Sequence, residues 1–155
     1  MRRERRQRND RSRWPQTAAA LALTGLVAGL AIGVAGCGLN VQSPDLFLLT
    51  RRGQGQTLTL LVNDDGTVRC DGGRPRMLPD PLLLQARDLA SGLGGDAQHH
   101  LRIPPAPNSV YRYTIRLQQG TISFPDTAAA GGRYPRLAQA ELFTLQAARQ
   151  ACGLS

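Results

Sequence analysis

A chain of 155 residues, 41% hydrophobic and 19% charged, holds enough apolar material for one modest core, which excludes a wholly disordered chain. All 19 basic residues are arginine, against 11 acidic ones, for a formal net charge of +8. Seven of these arginines fall in residues 1–36 beside Glu4 and Asp10, so the other 119 residues carry only +3 and no nucleic-acid partner is expected.

The basic cluster occupies residues 1–14 and ends at Trp14. Guanidinium groups stay on the cytoplasmic side of a bilayer, and an indole suits headgroup depth. Residues 17–36 then contain only Ala, Leu, Gly, Val, Ile and Thr. A charge-free run of this length fits a signal-peptide apolar region or a membrane span. It closes on Val34-Ala35-Gly36-Cys37, which resembles the lipobox of bacterial lipoproteins. The resemblance implies a signal peptide over 1–36 and cleavage before Cys37. It also implies lipidation of Cys37 by diacylglycerol and a palmitate-type acyl chain. Two alternatives stand beside it: an ordinary secretory signal, and a retained anchor packing through Gly25, Gly29 and Gly33. All three put residues 38–155 outside the cytoplasm.

Residues 37–44 are polar and bounded by Gly and Pro, a tether to a single domain over 45–155. A strand is predicted over 45–52 and a turn at Gly53-Gln54-Gly55-Gln56. A second strand alternates strictly, with Leu58, Leu60 and Val62 on one side. Asn63-Asp64-Asp65-Gly66 offers the left-handed positions of a tight hairpin, with the return strand over 67–71. The adjacent carboxylates lack the alternate spacing of a calcium loop, so turn chemistry explains them.

After a loop, Asp80 is expected to cap a helix and Pro81 to take its first position. Leu82, Leu83, Ala86, Leu89, Ala90 and Leu93 share one helical side, and Gly92 with Gly94-Gly95 should end it. Residues 95–109 are irregular. They include His99-His100, whose side chains diverge on any regular backbone, and prolines 104, 105 and 107, which read as a stiff connector.

Residues 110–117 form the clearest strand, with Tyr111, Tyr113, Ile115 and Leu117 facing a core and Arg112, Thr114 and Arg116 facing water. Residues 121–124 return beside it through Ile122 and Phe124. A last helix over 135–152 should bury Ala138, Leu142, Leu145 and Ala148. The fold class expected is α+β: an antiparallel sheet with two helices on one face, in the order β-β-β-α-β-β-α.

With Cys37 lipidated, Cys70 and Cys152 remain, both in core phase and both in an oxidising compartment. A disulfide between them is expected, the alternative being two buried thiols. No GxSxG, P-loop, HExxH or glutamate pair occurs, so no catalytic residues, metal site or cofactor is expected.

The arginine-rich start, the motif ending at Cys37 and the two further cysteines resemble the small actinobacterial lipoproteins of unknown function. The element order over 46–152 resembles, as pattern only, subtilisin-inhibitor and emfourin-like proteinase inhibitors, though the two disulfides and Cys-flanked reactive loop of the subtilisin-inhibitor family have no counterpart here. Two functional expectations result. One is a non-enzymatic, lipid-anchored envelope protein with a structural or interaction role, its partners the membrane and an unidentified envelope protein. The other is a surface-tethered proteinase inhibitor using Pro104–Pro107 or a neighbouring loop.

Overall fold

The alternating apolar pattern of the first two strands is realised as a hairpin in a computed structural model, which describes residues 44–154. The described residues all belong to one compact unit. Cys37, the segment 1–36 and nearly all of the 37–44 tether lie outside the described residues.

β1 (Asp45–Gly53) pairs antiparallel with β2 (Gln56–Asn63), starting with a bulge between Asp45 and Phe47. Their turn has positive φ at both central residues, Gln54 and Gly55, the backbone twist a two-residue hairpin needs. β3 (Thr67–Cys70) returns along β2 after a turn in which Gly66 alone is left-handed. The Asp65 carboxylate accepts from the Thr67 amide and hydroxyl at 2.8 and 2.7 Å, and these bonds hold its carboxyl below the usual range. Asp64 turns the other way, onto Arg87 at 2.8 Å.

A further strand, β4 (Pro75–Met77), lies where the sequence suggests only a loop. It has three residues, stands on the sheet edge and begins with Pro75, so it lacks any run long enough to show alternation. β5 (Tyr111–Leu117) and β6 (Gly120–Pro125) complete one antiparallel six-stranded sheet in the order β4-β3-β2-β1-β5-β6.

α1 (Asp80–Gln98) runs past the expected stop. Leu82, Ala86, Leu89, Leu93 and Ala97 are all buried, so the stripe continues through the glycines and outweighs their unfavourable helix propensity of about 1 kcal/mol each. Gly92 leaves room for the Arg136 side chain of the next long helix. Asp80 is the first helical residue rather than the cap: Pro79 holds the cap position and no side chain caps the helix. α1 ends against Gly120, whose φ of +154° and contact with the Ala97 carbonyl leave no space for a side chain.

α2 (Thr127–Ala130) is a single turn, unexpected from sequence and begun by Asp126, which accepts from the Thr127 amide. α3 (Pro135–Gln150) buries Leu137, Ala140, Phe143, Thr144, Ala147 and Ala148. The expected stripe is therefore corrected: Leu142 and Leu145 are 51% and 44% exposed. Small alanines and Phe143 turn inward instead, with the Phe143 ring meeting Phe47 edge-on at 5.6 Å. Thr144 can join them because its hydroxyl donates to the Ala140 carbonyl at 2.7 Å.

Both long helices supply side chains to the core on one face of the sheet, which confirms the α+β class. That core cluster is drawn from residues 47–152, and the Cys70–Cys152 disulfide closes within the same stretch. Among the described residues, sheet, core and cross-link thus all fall within residues 45–152. The disulfide spans a sequence separation of 82, for which chain-entropy arithmetic gives about 4.5 kcal/mol as an upper value.

Candidate functional site

Because strand residues alternate between faces, the ladder register sorts the sheet into rows. Cys70, Leu60, Leu49, Ile115 and Ile122 form one inner row. The next runs Leu58, Arg51, Tyr113, Phe124. An arginine thus stands among core residues, in phase with Leu49, and sequence reading missed it.

Arg51 sits at the rim of the core. Its guanidinium lies 5.0 Å from the Tyr111 ring centroid, a cation–π contact. Tyr113 is 3% exposed and stacks on Phe124 at 5.2 Å. Burial, then the Glu141 charge, pushes its hydroxyl up to about 12, with Arg51 pulling the other way. Glu141 itself has one buried carboxylate oxygen with no hydrogen-bond partner among the described residues. Burial, then the charge of Asp126, pushes its carboxyl up to about 7. Asp126 is fully engaged, accepting from the Val110, Tyr111 and Thr127 amides at 3.0, 3.0 and 2.9 Å. Tyr111 is only half-buried, against expectation, because its hydroxyl reaches out to Gln54 at 2.8 Å. Beside it opens a groove of about 550 Å³ whose charged lining residues are Arg51 and Asp71, one of each sign.

The outer face is different. Its rows read Arg69, Leu61, Leu48, Arg116, Thr121; then Thr59, Thr50, Thr114, Ser123; then Thr57, Arg52, Arg112, Pro125. Arg102 joins the middle row through a parallel bridge to Ser123. No described helix covers these rows. Five arginines and six Thr or Ser residues therefore share one surface, with Asp71 at its margin, where the carboxylate accepts from the Thr59 amide at 2.7 Å. Asp45, which accepts from Asn63 at 3.3 Å, stands just beyond the rows at the tether end. Thr50, Arg52, Thr114 and Arg116 border a shallow depression of about 240 Å³ around Leu48. The nine carboxylates of residues 44–154 otherwise sit in turns, at strand ends and on helices.

Of the other residues singled out by sequence, Cys70 and Cys152 are joined, their Cα atoms 6.0 Å apart. His99 caps the end of α1 and His100 follows in a left-handed conformation, both exposed. Among the described residues, no three His, Cys, Asp or Glu side chains converge as a metal site would require. Prolines 104, 105 and 107 are exposed, on a segment pinned at one end by the Ile103 amide to the Ser123 carbonyl at 2.8 Å. At the other end the Ser109 hydroxyl accepts from the Ala106 amide and meets the Thr127 hydroxyl, both at 3.0 Å. No described helix is long and apolar enough to cross a membrane.

Compared with known proteins, the chain matches no family model, no curated protein and no solved structure.

Proposed function

We propose that the protein is lipid-anchored on the extracytoplasmic face of the cell membrane, and that it works by binding rather than by catalysis. The observation that carries this reading is Val34-Ala35-Gly36-Cys37 at the end of a charge-free run of twenty residues. The Cys70–Cys152 disulfide supports it, because such a cross-link persists in an oxidising compartment. A binding role draws support from the outer sheet face, where five arginines and a field of hydroxyls offer recognition chemistry. Metabolic labelling with a fatty-acid analogue tests the anchor. Wild type should carry the label and Cys37→Ala should not, and equal labelling of both would end the lipoprotein reading.

A second reading, a tethered proteinase inhibitor, rests on the stiff exposed segment over 104–107, held at both ends by hydrogen bonds. Titration against subtilisin-type and thermolysin-type proteinases checks it. Stoichiometric inhibition that is lost on replacing these prolines would favour it, and none would remove it.

A further inference from the structure

We propose that the outer face of the sheet binds anionic phospholipid headgroups and lays the domain flat on the membrane. The argument starts from what stands on that face. A guanidinium presents a planar fork that pairs with phosphate oxygens through two parallel hydrogen bonds, and neighbouring hydroxyls add single donors. Arg52, Arg69, Arg102 and Arg116 are exposed and Arg112 is half-buried, with Thr and Ser between them.

Two features select an extended anionic surface over a small anion. Arg69 on β3 and Arg102 beyond β6 are separated by β2, β1, β5 and β6. At about 4.8 Å per strand, that places them roughly 24 Å apart, too far for one small ligand to bridge. Arg52 and Arg112 also lie directly opposite each other across β1 and β5. Like charges so placed repel, and a layer of counter-charge outside the sheet relieves that repulsion.

Chain length selects the surface. This step rests on the anchor reading above. From Cys37 to Asp45 there are eight residues, which extend to no more than about 29 Å. The bilayer to which Cys37 attaches is then the broad anionic surface in reach. Four of the nine carboxylates of residues 44–154 agree with this orientation, since Asp80, Asp88 and Asp96 lie on α1 and Glu141 on α3, on the helical side. With the arginine face down, these carboxylates point away from the headgroups.

The test uses the fragment 38–155, which lacks Cys37 and therefore any acyl chain, and which holds the whole of the described sheet, core and disulfide. Cosedimentation is measured with vesicles of phosphatidylcholine, with and without phosphatidylglycerol. Binding should require phosphatidylglycerol and should weaken as salt rises past about 0.1 M, where screening acts within about 10 Å. Arg52→Gln with Arg112→Gln should lower partitioning about 25-fold, taking roughly fivefold for each basic residue at a membrane surface. Arg136→Gln with Arg149→Gln, on α3, should leave it within about twofold, since α3 packs on the opposite face of the sheet. Unchanged melting of each variant shows that folding is not what moved.

Absence of phosphatidylglycerol-dependent binding at low salt would overturn the proposal, as would equal losses from the two arginine pairs. Capture of soluble polyphosphate with no vesicle binding would also overturn it, placing a soluble polyanion on the face instead. The assay is independent of the anchor. Labelled Cys37 without vesicle binding removes this proposal alone, whereas vesicle binding without labelling removes the anchor and leaves the headgroup contact standing.

Discussion

The two faces of this sheet are made by the same strands and differ in what they do with an arginine. On the inner face Arg51 stands at the rim of a packed core, its charge shared with the Tyr111 ring and felt by the Tyr113 hydroxyl. On the outer face Arg52, its neighbour in sequence, stands opposite another arginine with no carboxylate in its row. One face meets the requirements of folding, in which polar groups are few and surrounded. The other gathers five arginines, with Asp71 held at its margin by the Thr59 amide, and that is where recognition chemistry is concentrated.

The cross-link from β3, one strand in from the sheet edge, offers the largest way to test how far the inner face depends on its helices. Cys70→Ser with Cys152→Ser removes the tie between β3 and the chain following α3, and stability should fall by up to about 4.5 kcal/mol. Denaturant unfolding reads this directly, and a loss near zero would mean that packing alone holds α3 in place.

Within α3, two adjacent residues sharpen the contrast. Phe143 is fully buried against Phe47, so Phe143→Ala should cost about 3–5 kcal/mol through lost contact and a cavity. Leu142, 51% exposed, should cost less than about 0.5 kcal/mol when changed to Ala. Reversed sizes would restore the stripe that the sequence alone suggests.

Glu141 predicts a smaller, pH-dependent effect. Its folded carboxyl holds a proton up to about pH 7, against an ordinary value of 4.5. Between those values the folded state binds more protons than the unfolded one, so this group's contribution to stability falls as pH rises through the window. Glu141→Gln keeps the neutral shape and should remove that slope. Its melting temperature should exceed wild type above about pH 7, with the gap closing toward pH 4.5. A gap that widens toward acid would contradict the assignment.

Most of the sheet was legible because alternation is a local property. Leu58, Leu60 and Val62, and Tyr113, Ile115 and Leu117, can be sorted by face from spacing alone. The helices were less so, since burial on a helix depends on which neighbour it meets. Leu142 and Leu145 satisfy a helical period as well as Phe143 and Ala147 do, and only close approach to the sheet and α1 favours the smaller set. Gly92, Gly94 and Gly95 resemble a stop until Ala97 is seen buried beyond them. Of the outer face, Arg112 and Arg116 were visible within one strand. Arg52, Arg69 and Arg102 joined them only through register, which no local pattern encodes. Arg51 and Glu141 were hidden for the same reason: each becomes unusual only when elements far apart in sequence are brought together.

The division of labour between faces is tested most directly on two neighbours in β5, by thermal unfolding of Tyr113→Ala beside Arg112→Ala. Tyr113 is 3% exposed and stacked on Phe124, and its loss should cost about 3–5 kcal/mol. Arg112, on the outer rows, should cost less than about 0.5 kcal/mol. Comparable losses would give Arg112 a structural role and remove the ground for treating the outer face as a binding surface.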